Sequence, residues 1–172
     1  MGIRKKGKAM DQKVSPEYIQ TSLAASLTLG FQSGSFHRNA KLKGLNLLLH
    51  YEEGCLGKCH FCGLSSSRRE SPKGKTFIRV DWPLYPLEEI IERAKGKDQL
   101  HRVCISMITH PKALEDTLSV IQRLREETDL YISVLISPTL IHQENSLDAM
   151  KKAGADRVGI AIDAVTPELF DQ

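Results

Sequence analysis

Short apolar segments alternate with amphipathic segments along most of this chain, and this alternation constrains the fold more than any other feature. The apolar runs are residues 45–51, 102–108, 130–136 and 157–162. The amphipathic segments are residues 86–95, 111–127 and 143–153, and Thr166-Pro167-Glu168 begins a further helix. Strands that alternate with helices at this spacing form parallel βαβ units. The sequence therefore predicts an α/β fold, the N-terminal part of a (β/α) barrel with four parallel strands.

The residues before the first apolar run predict a basic arm and a helical extension. Residues 1–13 carry five Lys or Arg and one Asp, a local net charge of +4. Ser15-Pro16-Glu17 is typical of a helix start, and apolar residues then recur at helical spacing up to Gly30. We expect an extension over residues 1–43 and a core over residues 44–172. A helix that starts so close to Gln172 also leads us to expect an incomplete barrel and a truncated chain.

The composition excludes several classes of function. The formal net charge is +3, so residues 14–172 sum to about −1 and offer no basic body for nucleic acid. No apolar run approaches the roughly 18 residues that span a bilayer, and the first residues lack the apolar stretch typical of a signal peptide. We therefore expect a cytoplasmic protein that binds neither nucleic acid nor membrane. In that compartment its four cysteines stay reduced, as metal ligands or core residues.

Three of the four cysteines lie on one short segment directly after the first predicted strand. Cys55, Cys59 and Cys62 follow a Cys-x3-Cys-x2-Cys pattern, at the strand end where parallel α/β folds place their chemistry. Three thiolates can hold three corners of a [4Fe–4S] cluster and leave the fourth iron open to a small molecule. This pattern predicts an iron–sulfur site.

Two other interpretations of these cysteines stay open. Structural zinc usually takes four ligands, and either His60 or Cys104 could supply the fourth, although the sequence offers no second pair of ligands. Three unrelated core cysteines are disfavoured because glycines at 54, 57 and 63 indicate an exposed loop. A zinc-binding or cluster-binding module that docks to a partner without catalysis is therefore the alternative to an enzyme.

The segment resembles the radical S-adenosylmethionine (SAM) superfamily, whose members combine this cysteine spacing with an aromatic residue before the last cysteine and a βα pattern behind it. Here that aromatic residue is Phe61. The resemblance implies that the open iron binds the amino and carboxylate groups of SAM. It further implies reductive cleavage to methionine and a 5′-deoxyadenosyl radical, which abstracts a hydrogen atom from the substrate. Phe61 would then pack near the adenine, and a ferredoxin or flavodoxin would supply the electron.

Three further stretches resemble biotin synthases and lipoyl synthases. They are residues 62–68, 103–107 and 162–170. The resemblance implies sulfur insertion at an unactivated C–H bond of a small-molecule or carrier-bound acyl substrate, with an auxiliary iron–sulfur cluster as a further cofactor. It also implies that Asp163 binds the ribose of SAM. Ser106 and Thr109 lie where the superfamily contacts the methionine amino group.

This chain also departs from those two enzymes. Val134 stands where biotin synthases carry a third-strand cysteine, Ala161 replaces an asparagine, and no cysteine precedes Cys55. Other radical reactions therefore remain alternatives: rearrangement, methylthiolation or methyl transfer. Cys104 is either a ligand at the barrel mouth or a small buried residue. Because free cysteine is among the most buried residue types, we expect the second role.

Overall fold

A computed structural model of the chain describes residues 12–59, 62–66, 81–141, 145–162 and 166–170. The strands in these ranges are β1 (Tyr18–Thr21), β2 (Gly44–Leu49), β3 (Leu84–Pro86), β4 (Arg102–Ser106), β5 (Tyr131–Ile136) and β6 (Arg157–Ile160). The helices are α1 (Leu23–Thr28), α2 (Leu87–Lys95), α3 (Ala113–Glu127), α4 (Ser146–Ala153) and α5 (Pro167–Phe170). Short 3₁₀ turns occur at His37–Asn39 and Pro138–Leu140.

The strands form one sheet in the order β3-β1-β2-β4-β5-β6. β2, β4, β5 and β6 run parallel to one another, and α2, α3 and α4 each precede one of the last three of them. The prediction of an α/β fold with four parallel strands is thus confirmed. The arrangement is consistent with part of a (β/α) barrel, in which the carboxyl ends of all parallel strands meet at one edge.

Strand register fills one face of this sheet with apolar side chains. Six of them are at most 1% exposed: Leu45, Val103 and Ile132 in one row, and Leu47, Ile105 and Val134 in the next. The apolar stripe of α3 belongs to the same hydrophobic cluster, which includes Val120, Ile121 and Leu124. We call this side of the sheet the core face. Because successive side chains of a strand point to opposite faces, every second residue of each strand has its side chain on the other face of the sheet.

The opposite face has a different composition. Asn46, Cys104 and Ser133 lie side by side in one row, and each is exposed or half-buried. In the next row towards the carboxyl edge, Leu48 and Ser106 are both buried. In a (β/α) barrel, this face points to the interior.

The helix signals of the parallel half are largely confirmed. α4 ends at Gly154, which adopts the left-handed conformation with φ +114° that a glycine stop provides. Lys151 and Lys152 lie in its last turn, where cations favour the carboxyl end of the helix dipole. Among the described residues, no helix has the length and apolar character needed to cross a bilayer.

The predicted helix over residues 16–30 is wrong in its first half. Tyr18–Thr21 is a strand, antiparallel to both β2 and β3, in which Ile19 and Thr21 are buried at a period of two. The Ser15 hydroxyl, expected to cap a helix, instead accepts the N–H of His50 at 2.9 Å. The cap that forms is Ser22, whose Oγ accepts the N–H of Ala25 at 3.2 Å. The segment before residue 44 therefore shares the sheet and the core.

Candidate functional site

The three cysteines of the motif lie on a loop at the carboxyl edge of the parallel strands. We call residues 51–66, which begin two residues after the end of β2, the cysteine loop; residues 60 and 61 within it lie outside the described residues. Cys55 and Cys62 are half-buried and Cys59 is exposed. Each is a reduced cysteine outside any disulfide, as expected of ligands. The thiols thus lie where the sequence predicted them, at the edge of the sheet formed by the carboxyl ends of the parallel strands.

A tight turn directs the chain into the motif. The N–H of Gly54 donates to the carbonyl oxygen of Tyr51 at 2.9 Å. Gly54 has φ +74°, a conformation that side chains on L-residues disfavour. This turn sets the position from which Cys55 follows.

The segment after β4 holds the first part of the loop. The N–H of Leu56 donates to the carbonyl oxygen of Thr109 at 2.8 Å. A Cβ on Gly57 would lie 3.3 Å from both Thr109 Oγ1 and Cys55 Sγ, so a side chain here would crowd both atoms unless they shifted by a few tenths of an ångström. The N–H of Gly57 also donates to Cys55 Sγ at 3.3 Å. Hydrogen bonds of this kind to cluster sulfur atoms tune the reduction potential of a bound cluster.

Backbone hydrogen bonds close the loop at its far end. The N–H of Cys62 donates to the carbonyl oxygen of Cys59 at 3.3 Å, so these two ligands share one turn. The N–H of Ser66 returns to the carbonyl oxygen of Gly57 at 2.8 Å. Ser65, between these contacts, is buried. The loop is therefore tied at both ends, while Cys59 between the ties is open to solvent.

The donor set fits a [4Fe–4S] cluster. Each thiolate of such a cluster binds a different iron, so the three sulfur atoms need not converge on one point. A zinc ion requires that convergence. Among the described His, Cys, Asp and Glu side chains, no group of three or more is arranged to hold a single metal ion. His60, the proposed fourth zinc ligand, lies outside the described residues.

The two predicted residues on and after β4 have different environments. Ser106 is the last residue of β4 and is buried. Thr109 lies against the cysteine loop through the contacts with Leu56 and Gly57. The structure therefore brings Thr109 to the motif, and the role of Ser106 stays a prediction. Phe61 and Asp163, predicted to contact adenine and ribose, lie outside the described residues, so their roles stay predictions too.

Two hydroxyl residues at the same edge were missed by sequence reasoning. Thr109 Oγ1 lies 3.3 Å from Ser137 Oγ, which lies 3.2 Å from Thr139 Oγ1. The three hydroxyls form a hydrogen-bonded row from the end of β4 to the end of β5. The signal was present, because Ser137 and Thr139 directly follow the third apolar run and parallel strands end at a common edge.

Cys104 lies outside the hydrophobic core. It is half-buried on the opposite face, between Asn46 on β2 and Ser133 on β5. The expectation of a small buried residue is therefore wrong: Cys104 occupies the strand phase opposite to Val103 and Ile105, which fill the core.

Burial also shapes the electrostatics behind the loop. The phenol of Tyr51 donates to Asp116 Oδ2 at 2.7 Å, and both side chains are buried. Desolvation raises the pKa of Asp116, although the hydrogen bond from Tyr51 acts against this. The pKa of Tyr51 is also raised, first by burial and then by the neighbouring carboxylate. A neutral phenol is thus the stable form of Tyr51.

Comparison with known proteins agrees with this geometry. A family model described as the radical SAM superfamily matches residues 51–171, which start at the cysteine loop and extend through α5. No curated protein and no solved structure matches the chain significantly.

Proposed function

This chain belongs to the radical SAM superfamily, and from that premise we propose that it inserts sulfur at an unactivated C–H bond, as biotin and lipoyl synthases do. Membership implies an enzyme that uses a [4Fe–4S] cluster and SAM. Cys55, Cys59 and Cys62 would hold the cluster by three of its irons. When bound, these two groups supply the one-electron chemistry that removes a hydrogen atom from carbon.

In this proposal, the chain's own residues bind and orient the cluster and SAM. The Gly57 N–H donates to Cys55 Sγ, and the hydrogen bond from Leu56 to Thr109 fixes the cysteine loop against the segment that follows β4. The hydroxyl row of Thr109, Ser137 and Thr139 can both donate and accept hydrogen bonds, which suits the amino and carboxylate groups of SAM. We assign Ser106 to the same end of SAM, and from the resemblance we assign Phe61 to the adenine and Asp163 to the ribose.

The position of Cys104 supports the finer proposal of sulfur insertion. Its thiol lies on the face that points to the interior of a barrel, beside Asn46 and Ser133. We propose that the Cys104 thiol binds an auxiliary cluster, which donates the sulfur. Val134 lies on the core face, so the matching inward residue of β5 is Ser133. We further propose a small-molecule or carrier-bound acyl substrate and a ferredoxin or flavodoxin as reductant.

The test uses the full chain prepared without oxygen. We expect about four irons and four sulfides per chain for the first cluster, formation of 5′-deoxyadenosine with SAM and reductant, and a sulfur-containing product from a desulfo precursor or a carrier-bound acyl chain. Alanine at Cys55, Cys59 or Cys62 should abolish the cluster. The matched variant Cys104→Ala should keep that cluster and lose only the sulfur product.

Each other outcome contradicts a defined part of the proposal. Formation of 5′-deoxyadenosine without a sulfur product would replace sulfur insertion with a rearrangement or methyl transfer. Zinc without sulfide and no cleavage of SAM would instead indicate a non-catalytic binding module.

A further inference from the structure

We propose that Tyr51 and Asp116 are positioning residues, which fix the start of the cysteine loop and thereby the first cluster ligand, Cys55. The meaning of this role for the cluster rests on the function proposed above. Neither residue is a cluster ligand: Tyr51 is the first residue of the cysteine loop, and Asp116 lies on α3. They act on the site through the backbone that carries it.

The side-chain contact is buried and specific. Tyr51 is 3% exposed and Asp116 is 6% exposed, and the phenol donates to the carboxylate at 2.7 Å. Asp116 lies in the first turn of α3, so the bond joins the start of the cysteine loop to this helix. A buried acceptor that loses its donor is left with its desolvation cost, so the pair favours one arrangement strongly.

The ring of Tyr51 is fixed as well as its hydroxyl group. It stacks on the imidazole of His110, with 3.6 Å between ring centroids and 12° between planes. His110 Nδ1 in turn accepts the N–H of Lys112 at 3.3 Å. Both ends of the Tyr51 side chain are therefore held by the segment that leads from β4 into α3.

The backbone transmits this position to the motif. The carbonyl group of Tyr51 closes the turn with Gly54, and Cys55 is the next residue. On the other side of Cys55, Leu56 is bonded to Thr109. Both ties lead to residues 109–116, so Cys55 is held from two sides by one segment. Cys59, which is exposed, follows the residues that make these two contacts, so neither contact holds it directly.

The alkylation rate of each thiol in the metal-free full chain tests this role. Tyr51→Phe removes only the hydroxyl group, and Asp116→Ala removes the acceptor. We expect each to raise the alkylation rate of Cys55 about two- to tenfold, the range that loss of one hydrogen bond allows. Cys59 should react at its original rate. Asp116→Asn keeps an acceptor and should restore the original rate at Cys55, and Tyr18→Phe on β1 is the matched tyrosine control.

A second measurement tests whether the hydrogen bond between Tyr51 and Asp116 affects the bound cluster. In reconstituted protein, Tyr51→Phe should broaden or shift the electron paramagnetic resonance signal of the reduced cluster, while Tyr18→Phe leaves it unchanged. Unaltered alkylation of Cys55 in Tyr51→Phe would overturn the proposal, as would an equal increase at Cys59. If no cluster forms even in the unaltered chain, the proposed function fails, but the alkylation rates still decide the positioning role. Tyr51→Phe keeps the ring, so it provides the test even if Asp116→Ala does not fold.

Discussion

Adjacent residues of β4 occupy two different environments. Ile105 is fully buried on the core face, whereas Cys104 is half-buried on the opposite face between Asn46 and Ser133. The same alternation holds on β5, where Val134 faces the core and Ser133 does not. Stability and chemistry are thus assigned to alternate residues of the same strands. This separation predicts that a substitution on the core face changes the free energy of unfolding, whereas a substitution on the opposite face changes the chemistry with little effect on stability.

The largest expected effect comes from the core face. Ile105→Ala removes a fully buried side chain and leaves a cavity, so we expect the free energy of unfolding to fall by about 2–5 kcal/mol. Cys104→Ala, one residue away, should cost less than about 1 kcal/mol because its side chain is only half-buried. Urea unfolding of both variants measures the difference. Similar losses would contradict the division between the two faces.

The division also explains which parts of the fold could be predicted from the sequence. The parallel strands and their helices have strong periodic patterns, and Gly154 gives α4 a local stop signal. β1 was missed because Tyr18, Ile19 and Leu23 fit helical spacing as well, and its pairing with residues 47–49 and 84–86 is not local. The short strand β3 was missed for the same reason.

The site shows the same limit. The three cysteines and Thr109 could be placed at the carboxyl edge because each follows a predicted strand within a few residues of the sequence. The contact between Tyr51 and Asp116 joins residues 65 positions apart, and no short motif marks it. An apolar run alone does not determine which of its residues face the core. The sequence therefore could not show that Ile105 faces the core while Cys104 lies on the opposite face.

A smaller effect is expected at the amino edge of the sheet, remote from the cysteine loop. Asp156 Oδ2 accepts bonds from Arg125 Nη2 at 2.6 Å and from the Ile132 N–H at 2.7 Å. Asp156→Ala should lower the free energy of unfolding by about 1 kcal/mol, since the pair is partly solvent-screened. Glu126→Ala, at an exposed carboxylate of α3, is the control and should have no measurable effect. A changed alkylation rate at Cys55 in Asp156→Ala would show that the two edges are coupled.

The smallest expected effect is a pH dependence that arises behind the loop. Burial raises the pKa of Asp116, so the folded chain holds this proton more tightly than the unfolded chain. The stability it contributes is fully present below the unfolded pKa and is lost as the pH rises through the folded pKa. Asp116→Asn does not titrate, so its stability relative to the unaltered chain should increase over the pH range that starts at about 4, the ordinary pKa of an aspartate. Tyr51→Phe removes the hydrogen bond that lowers this pKa and should move the loss of stability to higher pH. Urea unfolding across this range measures both, and a constant difference between Asp116→Asn and the unaltered chain would show that burial leaves this carboxyl unperturbed.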